Sequence, residues 1–137
     1  GYAKPETFIR VCSHADMLLF DLKVMDSQVH REVTGVGNET ILENLKTAAK
    51  MPKPLVVRIP VVPGVNDDPV NISATLEFLK SIAVSRVDML AYHQTGQEKY
   101  RRLGWECKYQ AAPPSSTQME ALLQQFSGHG FSVRVGG

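Results

Sequence analysis

Asp16-Met-Leu-Leu-Phe-Asp-Leu-Lys23, Leu55-Val-Val-Arg-Ile-Pro60 and Arg86-Val-Asp-Met-Leu-Ala-Tyr-His93 are apolar runs of strand length, and each carries charged or titratable groups at or near its end. A helical pattern lies between each pair. That alternation reads as βαβαβ, which demands parallel strands joined by right-handed crossovers. In parallel α/β architectures, chemistry gathers at the carboxyl ends of the strands. Asp21, Lys23, Arg58, Tyr92 and His93 are therefore expected to converge on one site.

The chain has 137 residues, enough for one domain with a sizeable core. Its 43% hydrophobic and 21% charged residues fit an ordinary soluble composition. A net charge of +1 leaves no electrostatic footprint for nucleic acid. No apolar run is long enough to cross a bilayer, and the opening Gly-Tyr-Ala-Lys-Pro-Glu-Thr has no basic-then-apolar signal pattern. The two cysteines, Cys12 and Cys107, lie far apart and in no paired motif, so they read as free thiols in a reducing cytoplasm.

Residues 5–15 read as a short helix with Ile9, Val11 and Cys12 on its apolar face, followed by a strand over residues 17–22. The unbroken apolar character of that strand predicts burial on both faces. Residues 25–37 read as an ordered loop with one helical turn around residues 28–33, and Asn38 as the N-cap of a helix carrying Ile41, Leu42, Leu45, Ala48 and Ala49. Pro52 and Pro54 end that helix. A second strand over residues 55–59 leads into a stiff loop, Pro60 to Pro69. Asp67 or Asp68 caps the next helix, with Pro69 in its first turn and Ile72, Leu76, Leu79 and Ile82 buried. A third strand covers residues 86–91. Residues 94–114, with Tyr100, Trp105 and Tyr109, form a long segment of loop composition, the kind that usually serves function. Ser115 or Ser116 caps a last helix with Met119, Leu122, Leu123 and Phe126 on one face, and residues 131–135 make a fourth short strand.

Asp21 and Lys23 alternate along one strand and so share a face. They either hold a polar cofactor or close the strand with a salt bridge. Arg58 lies inside an apolar strand, where an unpaired charge is costly. It either binds a carboxylate, ribose or phosphate through its planar fork, or pairs with Asp21 or Glu43. His93 is either a ligand-contacting imidazole or a surface residue opening a loop. His14, His30 and His129 stand alone. No structural-zinc spacing, P-loop or Gly-x-Gly-x-x-Gly pattern occurs.

Taken in order, Met17-Leu-Leu-Phe-Asp-Leu-Lys23, Thr34-Gly-Val-Gly-Asn38 with Ile41-Leu-Glu-Asn-Leu45, Val57-Arg-Ile-Pro-Val-Val-Pro-Gly-Val-Asn-Asp67, and Leu90-Ala-Tyr-His93 with Lys99-Tyr100 resemble the glycyl radical enzyme activating enzymes. These are radical S-adenosylmethionine proteins that include pyruvate formate-lyase activating enzyme. The resemblance covers nearly the whole chain. It implies a partial (β/α) barrel in which this chain supplies parallel strands four to six of a (β/α)6 barrel, with Gly1-Tyr2 following the third. The family's C-x3-C-x2-C motif, which ligates a 4Fe-4S cluster, is not found here, nor is the glycine-rich segment that grips the methionine amino group, and Ala91 stands where a proline is expected.

The resemblance implies that residues 1–137 are the C-terminal half of a single truncated domain, inactive alone and without a stoichiometric cluster or metal of its own. In the intact enzyme, S-adenosylmethionine and a 4Fe-4S cluster would together abstract hydrogen from a backbone glycine of a glycyl radical enzyme, with flavodoxin or ferredoxin as electron donor. Asp21 and Lys23 would lie near the methionine end of the cofactor, Arg58 and His93 at its ribose or methionine portion, and Tyr92 along the adenine. Two alternatives remain open: a non-catalytic module that docks a partner, and part of an unrelated barrel enzyme such as an aldolase, for which Lys23 is the one Schiff-base candidate.

Overall fold

A computed structural model describes residues 1–93, 102–104 and 112–136. Four strands, β1 (Leu18–Asp21), β2 (Leu55–Val61), β3 (Arg86–Ala91) and β4 (Ser132–Val135), lie side by side in chain order, every neighbouring pair parallel. Helix α1 (Pro5–Ser13) precedes β1. Helices α2 (Ser27–Thr34) and α3 (Glu39–Ala49) connect β1 to β2, α4 (Pro69–Ser81) connects β2 to β3, and α5 (Ser116–Gly128) precedes β4. The strand order never reverses. A doubly wound sheet would reverse it at a switch point, whereas an unreversed order is how the wall of a (β/α) barrel is built.

The core lies on one side of this sheet. Leu18, Phe20 and Leu22 from the β1 segment, Val57, Ile59 and Val61 from β2, and Val87 and Met89 from β3 join Leu45, Ala48, Ile72, Leu76, Leu79, Met119, Leu122 and Phe126 of the helices in one apolar cluster. The register places all those strand residues on the same face, because side chains alternate along a strand. The opposite face carries Leu19, Asp21, Arg58, Arg86, Asp88 and Arg134.

Local chemistry fixes the helix ends. The Asp68 side chain accepts from the amides of Val70 and Asn71, and Pro69 occupies the first turn. Asp67 instead accepts from Gly64 N, whose residue sits at φ 75°. Ser115 and Gln118 form a reciprocal capping box at the start of α5. Lys53 Nζ donates to the carbonyls of Cys12, Ser13 and Ala15 at 2.8, 2.8 and 2.5 Å, fastening the end of α1 to the segment that leads into β2. Asn44 of α3 donates to the carbonyls of Gly1 and Ala3, and the Phe8 ring meets Phe20 edge-on with centroids 6.0 Å apart.

Several sequence expectations are corrected here. β1 is not buried on both faces: Leu19 is 54% exposed, because the helices cover only the other face. The expected loop over residues 25–37 contains the eight-residue helix α2, capped by Asp26, whose side chain accepts from Val29 N, and closed by Gly35 at φ 86°. Asn38 does not cap α3 with its side chain; its amide donates to the carbonyls of Val24 and Met25. On α1, Ile9 and Val11 are exposed and Cys12 is the buried residue. His30 is buried, with Nδ1 2.7 Å from Val36 O and 3.0 Å from Thr34 Oγ1. Cys12 is a free thiol. Cys107, Tyr100, Trp105 and Tyr109 lie outside the described residues.

The corner between α2 and α3 makes the first prediction. Ser27 Oγ donates to Glu39 Oε1 at 2.5 Å, and this bond, followed by a backbone hydrogen bond, holds the Glu39 carboxyl below its usual range. A lowered folded-state value means that the stabilisation is fully present above the ordinary carboxyl pKa of about 4.3. It is lost as pH falls through the lowered value. Ser27→Ala is expected to move the Glu39 midpoint upward in an NMR titration of the side-chain carboxyl.

Candidate functional site

The cluster-free face of the sheet carries a row of charges in register. Asp21 of β1 lies opposite Arg58 of β2, Arg58 opposite Asp88 of β3, and Asp88 opposite Arg134 of β4. The signs alternate across all four strands. Arg58 places both Nε and Nη2 on Asp21 Oδ1, at 2.8 and 2.7 Å. Asp88 is taken from its own strand: Arg86, two residues earlier and on the same face, reaches its carboxylate with Nε at 3.3 Å and Nη2 at 3.2 Å. The Asp88 side chain is only 6% exposed, so Arg86 supplies the partner that a buried carboxylate requires.

The sequence-derived site residues are distributed as follows. Asp21 and Arg58 are in direct contact. Lys23 is exposed, two residues past the end of β1, with its backbone carbonyl held by the Asn66 amide. Tyr92 is half-buried just beyond β3, where its amide donates to Val61 O. His93 is exposed and two residues past β3, so strand alternation does not assign it a face. Glu43, the other partner considered for Arg58, pairs with Lys46. Sequence reasoning missed Asp88 and Arg134. The signal for Asp88 was the Arg86-Val-Asp88 alternation inside a strand; for Arg134 it was visible only once the register of β4 was known. Also missed were Asn66 and Asn71, which with Asn38, expected as a helix cap, hold the backbone around Lys23.

A carboxylate, a guanidinium and an ammonium at one end of a parallel sheet suit a polar ligand carrying an amine, a carboxylate and ribose hydroxyls, which is the chemistry of S-adenosylmethionine. Among the described residues, no group of three or more His, Cys, Asp or Glu side chains could hold a metal ion. Also among the described residues, no helix is long and apolar enough to cross a membrane.

An unreversed parallel sheet with helices on one face and a charged opposite face defines part of a (β/α) barrel. No protein-family model matches the chain. The sequence is 34% identical to a trans-4-hydroxy-L-proline dehydratase activating enzyme of Clostridioides difficile over 142 aligned residues, covering all of this chain and 46% of that protein. It is 34% identical to a choline trimethylamine-lyase activating enzyme of Oleidesulfovibrio alaskensis, covering 92% of this chain and 43% of that protein. A 4-hydroxyphenylacetate decarboxylase activating enzyme of Clostridium scatologenes is 32% identical, with 99% and 45% covered. The crystal structure of a domain of pyruvate-formate lyase-activating enzyme from Bacteroides vulgatus superposes with a TM-score of 0.80 at 32% identity, covering 98% of this chain and 76% of that one. The chain belongs to the glycyl radical enzyme activating enzyme family. It spans less than half the length of these curated relatives.

The two ion pairs differ in burial and so in consequence. The Arg58–Asp21 side chains remain 31% and 39% exposed, and such pairs contribute roughly 0–1 kcal/mol. Arg86→Ala, by contrast, strands a buried carboxylate, which costs about 1–3 kcal/mol. Urea denaturation is expected to rank Arg86→Ala as clearly more destabilising than Arg58→Ala.

Proposed function

We propose that this chain is part of an activating enzyme that uses S-adenosylmethionine to generate a glycyl radical on a partner enzyme. The observation that carries the reading is the similarity over nearly the whole chain, at 32–34% identity, to activating enzymes named for three different enzymes. Near-equal similarity to activators of a dehydratase, a lyase and a decarboxylase supports assigning to this segment what they share, the handling of the common reactant, rather than the choice of partner. The partner is accordingly a glycyl radical enzyme, of the pyruvate formate-lyase kind in the broad sense.

In this reading the charged face of the sheet looks toward the bound reactant. Asp21 and Lys23 would hold the methionine end of S-adenosylmethionine, Arg58 and His93 its ribose or methionine oxygens, and Tyr92 the side of the adenine. When bound, S-adenosylmethionine supplies hydrogen-atom abstraction. The chain's own contribution is to bind, orient and exclude water. Arg58 is preorganised for that role, because Asp21 already fixes the plane of its guanidinium. The 4Fe-4S cluster, and flavodoxin or ferredoxin as its electron source in the cytoplasm, belong in this proposal to the complete protein, since the described residues hold no ligand set for a cluster.

The test is Arg58→Ala in the complete protein. Losing a hydrogen bond to a charged group costs about 1.5–3 kcal/mol, or roughly one to two orders of magnitude in affinity. S-adenosylmethionine affinity measured by calorimetry is expected to fall by that factor, while the melting temperature barely moves because the pair with Asp21 is half-exposed. An unchanged affinity with a lowered melting temperature would contradict the proposal. The 137-residue chain alone, after iron and sulfide reconstitution, is expected to retain no stoichiometric cluster and no activity.

A further inference from the structure

Pro60 interrupts the ladder between β1 and β2 at the point where the site begins. The parallel pattern runs Leu18 N to Pro54 O and Leu22 N to Arg58 O, and the next bond calls for an N–H from residue 60. Proline has none. The gap is bridged by a side chain. Asn66, 3% exposed, donates one amide hydrogen to Lys23 O at 2.8 Å and the other to Pro60 O at 2.7 Å, while its Oδ1 accepts from Val62 N at 2.8 Å. Two further asparagines continue the clamp. Asn71 donates to Asn66 O and accepts from Met25 N, both at 2.8 Å, and Asn38 donates to Val24 O and Met25 O at 2.9 and 2.7 Å. The backbone carbonyls of residues 23, 24 and 25 are each held by an asparagine amide.

The geometry points to Asn66 as a positioning residue for cofactor binding: it ties Lys23 O to Pro60 O just beyond Leu22 O, the acceptor that Pro60 cannot reach with an N–H, and so sets Lys23 at a fixed height relative to the Arg58–Asp21 pair. Without it, the two strand extensions separate after Leu22 and the Lys23 ammonium is free to wander, since that side chain has no ion pair among the described residues. A long, exposed lysine has high rotamer entropy, and only its backbone anchor limits where it reaches. The inference rests on the proposed S-adenosylmethionine site and adds to it a residue that touches no ligand.

The decisive variant is Asn66→Asp, which keeps size and the acceptor for Val62 N but turns an oxygen toward the carbonyls of Lys23 and Pro60. In the complete protein it is expected to weaken S-adenosylmethionine binding roughly tenfold or more, as small misplacements of a binding group do. The same substitution made in a Lys23→Ala background is expected to leave affinity unchanged, while the drop in melting temperature persists in both backgrounds. In the cofactor-free protein, hydrogen exchange of the Met25 amide is expected to accelerate. Leu79→Ala, in the helix core and remote from the strand ends, serves as the stability control: a lower melting temperature with affinity unchanged. Should Asn66→Asp fail to fold, Asn71→Ala releases the Met25 amide and the Asn66 carbonyl, and the same cycle with Lys23→Ala applies. Equal affinity losses with and without the Lys23 side chain, or a stability loss with full affinity, overturn the inference alone. Absence of S-adenosylmethionine binding by the wild-type protein overturns the proposed function and the inference with it, and shows itself as Arg58→Ala and Lys23→Ala having no affinity to change.

Discussion

All of the apolar strand residues in the core cluster lie on one face of the sheet, and the rest of the structure follows from that asymmetry. The helices dock where apolar area is available, so every crossover lies on the same side and the strand order never reverses. The face they leave is then obliged to satisfy its own polar groups. It does so with in-register charges, Asp21 against Arg58 and Asp88 with Arg86, rather than with a second hydrophobic layer. Along β2, Val57, Ile59 and Val61 join the apolar cluster while Arg58 lies on the opposite face with Asp21 and Asp88.

The energetic consequence is that the stabilising burial and the exposed charge reside in different residues. Val57, Leu45, Leu79 and Phe126 are almost wholly removed from water. Each such side chain contributes about 1.5–3 kcal/mol by burial, whereas the half-exposed Arg58–Asp21 pair contributes little. Charges that folding does not need can be exchanged without loss of the scaffold. Asp88 is the exception on this face, being nearly buried and dependent on Arg86.

Much of this was legible in the sequence because it depends on local rules. The order of strands and helices follows from apolar spacing, and the Asp68 and Ser115 caps follow from residue type next to an apolar stripe. Asp21 and Arg58 stood out as charges inside strands. What could not be read required knowing which strand faces which. The one-sided exposure of Leu19 depends on where the helices dock, and the Asp88–Arg134 extension of the row depends on register. Helix α2 was read as no more than one turn, around residues 28–33, because its apolar stripe is short and its buried position is filled by His30, which has no apolar signature. The asparagine clamp was invisible for a different reason: Asn66 and Asn71 carry ordinary loop and helix-start chemistry, and only the proline-made gap in the ladder gives them a target.

The Lys53 ammonium has three protons and three backbone carbonyls to receive them. A reagent therefore gains access to this nitrogen only when the end of α1 lifts away from the segment before β2. An acylating reagent that meets the folded protein will find the exposed Lys23 at once and Lys53 slowly, so the ratio of the two labels reports on the docking of α1 rather than on lysine chemistry. A modification that neutralised Lys53 would remove all three contacts together and loosen the helix that carries Phe8 onto Phe20, a long way along the chain from the residue modified.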